Sequence, residues 1–236
     1  MKPSRFRSSA LLASAAFFAA AALAGDLDPV EQSCDAPDSL KAFVFSDPNA
    51  WQHGKGDDGK GFLELHQQSK YKTKVRSPFN IALLSGQKFG SFTLEAELLQ
   101  TGKDYGHRDM CVFFGFQDPS HFYYTHIATK TDDHAHNIFI VNDQPRTKIS
   151  TKTTDGFDWG RDAWQKVRLV RDAESGKIEV FVNDMDKPMM VAEDKTFAEG
   201  FVGFGSFDDT GRVRNIRITP KSKPAAAEAD FFKGKE

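Results

Sequence analysis

Cysteine is scarce in this chain: there are two in 236 residues, Cys34 and Cys111, and no Cys-x-x-Cys pair. That excludes a thioredoxin-type redox motif and a four-cysteine zinc centre. An excess of positive charge is also missing, with 31 Lys and Arg against 33 Asp and Glu, a net charge of −2. Without Lys2, Arg5 and Arg7 the balance is 28 against 33, or −5. A nucleic-acid partner wants a basic face, so none is expected. Beyond residues 10–24 no apolar run is long enough to cross a bilayer, so no membrane insertion is expected. No stretch of a dozen residues carries a helical stripe, and no internal repeat suggests a propeller or solenoid. Phenylalanine, in contrast, is plentiful: 22 residues within a 12% aromatic share. So many large apolar side chains exclude global disorder and can fill the core of one domain.

The N-terminus has the pattern of a secretory leader. Lys2, Arg5 and Arg7 precede an uncharged run over residues 10–24, and Ala22-Leu23-Ala24 supplies the small-x-small cleavage pattern before Gly25. Residues 1–24 are therefore expected to be a signal peptide and the protein to be secreted or periplasmic. In such an oxidising compartment Cys34 and Cys111 are expected to form a disulfide; the alternative is that Cys111, inside an apolar strand, is a buried free thiol.

Residues 25–38 are polar with two prolines and read as an irregular lead-in. From there the apolar period is two. Phe92, Leu94, Ala96 and Leu98 alternate with Thr93, Glu95 and Glu97, the mark of a strand with one wet face. Similar segments fall at 40–45, 61–66, 78–84, 110–116, 121–129, 136–142, 164–171, 176–183, 187–192, 200–207 and 212–219. Turn-formers such as Asp118-Pro119-Ser120 and Asp208-Asp209-Thr210-Gly211 separate them. Short strands at this spacing predict an all-β domain over 39–219, a two-sheet antiparallel β-sandwich. Residues 220–236, rich in Pro, Lys, Ala and Glu, read as a flexible tail, although Phe231-Phe232 could dock locally or on a partner.

Five of the seven histidines fall within residues 107–136. In an extended 121–128 strand, Tyr124 and His126 share one face with Phe122 and Ala128, and a hairpin would bring them near His136. Three chemical uses are open. Arg108, Asp109, Tyr124, His126, His134, His136, Asn142 and Arg146 could line a glycan-binding groove, rings stacking on sugars and polar groups binding hydroxyls. His126, His136, Tyr124 and Arg108 could instead be catalytic, moving a proton and stabilising an anion as in a lyase. His134 and His136 with Asp132 or Asp133 have the ligand types of a transition-metal site. Loop-edge histidines with ordinary hydrogen bonds are the plain alternative.

The last third of the chain carries a resemblance. Gly176-Lys-Ile-Glu-Val-Phe-Val-Asn183 is followed by Lys187-Pro188, by Phe197-x-x-Gly200-Phe-Val-Gly203-Phe-Gly205-Ser-Phe-Asp208-Asp209-Thr-Gly211, and by Asn215-Ile216. This resembles the closing strands of concanavalin A-like lectin/glucanase jelly rolls, laminin G-like domains among them. The resemblance implies a jelly-roll sandwich that recognises a polysaccharide or glycan on its concave sheet. A polysaccharide-degrading hydrolase or lyase, or an envelope interaction module, are the alternatives. The Glu-x-Asp-x-x-Glu strand of laminarinase-like hydrolases is absent, since Glu95-Ala96-Glu97 does not supply it. No cofactor is required, but the resemblance implies a structural calcium held by Asp208 or Asp209 with Asp47.

Other residues give weaker expectations. Trp51-Gln52-His53 and Asp57-Asp58 are candidate rim residues, and Trp164 reads as core. Lys70, Lys72, Lys74 and Arg76 read as a solvated strand edge, with attraction to an acidic polysaccharide as the alternative. Gly203 and Gly205 suggest a close backbone approach.

Overall fold

The computed structural model describes residues 27–232, so the expected leader at 1–24 lies outside the described residues. The alternating segments become strands of two large antiparallel sheets. In Phe92–Gln100, Phe92, Leu94, Ala96 and Leu98 are buried while Thr93, Glu95 and Glu97 keep partial access to water. This strand sits inside a nine-stranded sheet. From one edge the order is Ser150–Lys152, Met190–Glu193, Lys177–Val182, Gln165–Arg171, Phe92–Gln100, Gly211–Pro220, Gly61–Leu65 and Trp51–Lys55, with Val30–Gln32 also paired to Gly211–Pro220. The second sheet has seven strands, ordered Thr147–Lys148, Asn137–Asn142, His121–Ala128, Asp109–Asp118, Phe201–Ser206, Asn80–Leu84 and Phe43–Phe45. This is the expected jelly-roll β-sandwich.

Between the sheets lies the main core, which includes Leu94, Val112, Phe114, Tyr123, Ile127, Leu169 and Phe204. Each such side chain contributes roughly 1.5–3 kcal/mol by leaving water. The outer face of the nine-stranded sheet is held by ion pairs: Arg168 to Glu95 at 2.9 Å, and Arg212 to Glu64 and Arg214 to Glu97 at 2.7 Å each. Arg214 also lies 4.0 Å over the ring of Trp164 and Arg212 4.6 Å over that of Phe62. Trp164 is therefore a half-buried partner of this outer layer, and the core tryptophans are Trp51 and Trp159. Trp51 thus leaves the rim for which it was a candidate and packs on Phe45.

The outer face of the seven-stranded sheet is not open to water. Phe113, Phe122, Tyr124, Phe139 and Phe201 form a second apolar layer there. Two segments cover it. Residues 67–79 cross it without strand structure, burying Tyr71 while Lys70, Lys72 and Lys74 stay exposed, so the lysine run is a cover and not a strand edge. The C-terminal segment is the second cover: Ala225–Ala227 pairs with Gly86–Lys88, and Phe231 packs on Phe116 and Phe201 with centroids 5.6 Å apart in each case. Phe232 meets Tyr71 at 5.2 Å. Of the tail expected over 220–236, residues 233–236 lie outside the described residues; in the rest Ala229, Phe231 and Phe232 pack on the sheet, the local docking that Phe231-Phe232 allowed.

The expected disulfide is overturned. Both cysteines are free and buried, Cys34 in the inter-sheet core and Cys111 in the outer layer of the seven-stranded sheet. A sheet face separates their environments. Burial pushes the Cys34 thiol up to about 12 and that of Cys111 well above its usual range. The close approach inferred at Gly205 is present, since a Cβ there would run into the carbonyl of Asn80.

Candidate functional site

Antiparallel pairing brings part of the histidine-rich region together. Cys111 stands opposite His126, Phe113 opposite Tyr124, His126 opposite Asn137 and Tyr124 opposite Phe139. Strand alternation therefore puts Cys111, Tyr124 and His126 on the covered face, as the period-two reading required. His136 precedes this ladder in the left-handed region, φ 52°, which turns its ring elsewhere. Its Nδ1 accepts the Ala128 N–H at 3.2 Å and its Nε2 meets Thr154 Oγ1 at 2.9 Å. An accepting Nδ1 makes Nε2 the protonated nitrogen. Burial pushes the His136 pKa down to about 4.

The eight candidate ligand contacts do not form one open groove. Arg108, Asp109, Tyr124, His126 and His136 are buried, with exposures of 5% or less. His134 is exposed in a turn and Asn142 is exposed at the end of the Asn137–Asn142 strand, while Arg146 is half-buried, 4.4 Å over the ring of Phe207. His126, His136 and Tyr124 are thus closed off from any polymeric substrate. His134 and His136 do not converge either, because His136 is committed to Ala128 and Thr154.

Three of the buried groups make a compact cluster. Cys111 Sγ donates to Asp109 Oδ2 at 3.1 Å, and His126 Nε2 stands 3.2 Å from the same oxygen but off the line of a hydrogen bond. Neither ring nitrogen of His126 nor the Tyr124 hydroxyl has a hydrogen-bond partner among the described residues. Asp109 also accepts the Phe207 N–H at 3.0 Å. On its other side Asp109, Asp208 and Asp209 bring carboxylate oxygens within 4.8 Å of one another. Burial first, and then the charge of Asp109, raise the Asp209 carboxyl well above the usual carboxylate range. Asp47 is not in this group: its oxygens accept Asn49 N–H at 3.0 Å and Lys70 N–H at 2.9 Å.

Open to solvent beside this cluster is a cleft of about 530 Å³. Three loops line it, contributing Asp104, Tyr105 and Arg108, then Lys130, then Asp158 and Arg161. Backbone bonds stitch the loops together: Lys130 N–H to Gly106 O at 2.8 Å and Phe157 N–H to Ala128 O at 2.9 Å. Arg108 completes the tie, donating to Gln100, to Asp104 Oδ1 at 2.6 Å and to Gly160 O at 3.0 Å. Tyr105, at 43% exposure, is the single exposed large hydrophobic residue among the described residues. Its hydroxyl donates to Asp209 Oδ2 at 2.7 Å and lies 3.2 Å from Asp208 Oδ1. The ring is fixed by its polar end and presents its apolar surface at the cleft mouth. Of the residues that line the cleft, only Arg108 was singled out from sequence. The signal for Tyr105 was present as a lone aromatic within Thr101-Gly-Lys-Asp-Tyr-Gly106, a run of turn-forming residues.

No protein-family model matches the chain, and no curated protein matches its sequence. Solved structures do. A carbohydrate-binding module (CBM66) from Bacillus subtilis aligns with TM-score 0.52 and 14% identity over 75% of this chain and 95% of that one. The metal-free form of lectin I-B4 from Griffonia simplicifolia gives 0.52 and 14% over 80% and 98%. A Bacillus subtilis protein of unknown function with a galectin-like fold gives 0.50 and 11% over 85% and 96%. Identities this low establish the fold, which is the concanavalin A-like jelly roll.

Proposed function

We propose that this protein is a carbohydrate-binding jelly roll, and that sugar docks in the loop cleft and not on the covered sheet face. The observation that carries the reading is Tyr105. A solvent-facing ring, immobilised by two carboxylates, is a stacking platform that loses little entropy on binding. Around it stand groups of both signs, Asp104, Lys130, Asp158 and Arg161, suited to the donors and acceptors of sugar hydroxyls. That the carbohydrate-binding module and the lectin share this fold supports the reading. The leader expected at 1–24 would deliver the cleft to extracellular or periplasmic glycans, and a mature N-terminus at Gly25 would check that step.

A panel of soluble polysaccharides and oligosaccharides, screened by calorimetry, tests the assignment. Binding is expected to be saturable and without turnover, and to fall at least tenfold, about 1.4 kcal/mol, in Tyr105→Ala and Arg161→Ala. Tyr105→Trp should retain it. Unchanged affinity in Tyr105→Ala, or no binding across the panel, would refute the cleft as a sugar site.

A further inference from the structure

The buried triplet Asp109, Cys111 and His126 is not used by the sugar cleft. We propose that it is a transition-metal site of the zinc class, with Cys111 Sγ, a His126 ring nitrogen and Asp109 Oδ2 as ligands. Thiolate, imidazole and carboxylate are the donors such an ion takes. The three ligand atoms lie within 4.8 Å of one another. A tetrahedral ion at ordinary bond lengths needs N···O and S···O edges of roughly 3.3 and 3.5 Å. The structure has 3.2 and 3.1 Å for these two edges, each within tenths of an ångström of the requirement, and the third edge, from sulfur to the ring nitrogen, lies within 4.8 Å.

A second, independent observation points the same way. His126 is 3% exposed and both its ring nitrogens lack a hydrogen-bond partner among the described residues, as does the hydroxyl of the fully buried Tyr124 two residues along the same strand. Buried polar atoms are almost always satisfied, and a metal ion would occupy one of the two ring nitrogens. Charge favours the same occupant. A divalent ion with one thiolate and one carboxylate is neutral, which relieves the crowding of Asp109 against Asp209. On binding, the metal–sulfur bond replaces the S–H bond of Cys111 and the proton leaves to solvent. A cysteine nucleophile is the other use of such a triplet, but Cys111 is fully buried and no substrate reaches it.

Cobalt(II) reports on this geometry by its spectrum. The reduced chain is unfolded, refolded with one equivalent of Co²⁺, and its folding checked by circular dichroism. One equivalent should give a thiolate-to-cobalt charge-transfer band with intense visible bands of tetrahedral Co²⁺, both displaced by Zn²⁺. Cys111→Ser should remove the charge-transfer band, His126→Asn should weaken binding at least tenfold, and Cys34→Ser should change neither. Tyr105→Ala should leave the spectrum intact, which keeps this test separate from the sugar reading. A folded wild-type chain without a thiolate band would overturn the assignment. So would a band that survives Cys111→Ser, or ion binding confined to the carboxylates of Asp208 and Asp209.

Discussion

The environment of His136 makes folding stability depend on pH in a way that one substitution isolates. In the native chain its Nδ1 is occupied as an acceptor by the Ala128 N–H. A second proton must break that bond and charge a fully buried ring. In the unfolded chain the imidazole takes its proton near pH 6.5, whereas in the folded chain it does so at about 4. Between those values unfolding takes up a proton, so stability is fully present above about pH 6.5 and is lost as pH falls. The loss should be roughly 2 kcal/mol at pH 5 and about 3 kcal/mol once pH is well below the folded value. Asp209 works in the opposite sense, because its raised carboxyl favours the folded state more as it protonates. The wild-type profile alone will therefore look flat. His136→Asn removes the titration and suits the left-handed backbone at this position. Urea unfolding of both proteins at pH 7.5 and pH 5 gives the difference, and Asp209 cancels from it. The wild type should lose about 2 kcal/mol more than the variant. Parallel profiles would refute the claim that the native fold excludes the proton.

The C-terminal cover and the thiols give two further expectations. Ending the chain after Pro220 should expose the layer containing Phe116 and Phe201, raise binding of a hydrophobic dye and lower the melting temperature. Phe232→Ala alone should cost about 3 kcal/mol, toward the lower end for buried aromatics because the ring lies at the edge of the layer; an unaltered melting curve for either would show that the segment does not cover the sheet. For the cysteines, a thiol reagent should modify neither residue in the native protein and both after denaturation, with no reductant added. A single band with no free thiols in the denatured chain would restore the disulfide.

The sandwich was legible in the sequence because strand alternation is written directly in residues such as Phe92 to Leu98, and the turns between strands are marked by Asp, Asn, Gly and Pro. The same period correctly put Tyr124 and His126 on one face and Tyr123 and Ile127 on the other. It could not show which face water reaches. Alternation is symmetric, and both faces of His121–Ala128 are apolar enough to be covered. The decision rests on contacts remote in sequence: Tyr71 and Phe232 are more than 45 residues away from Tyr124 on either side, yet they close the layer over it. Once that layer is closed, burial reassigns the chemistry of the residues beneath it. A histidine that would be a surface acid or base becomes a neutral hydrogen-bond acceptor at His136 and an unsatisfied donor set at His126. In the function we propose, recognition lies instead where polar groups and a ring still meet solvent, in the loop cleft around Tyr105. Displacing the covers should therefore expose Tyr124 and leave the cleft's affinity for sugar unchanged. A truncated chain that stays folded and gains sugar affinity would place recognition on the sheet face after all.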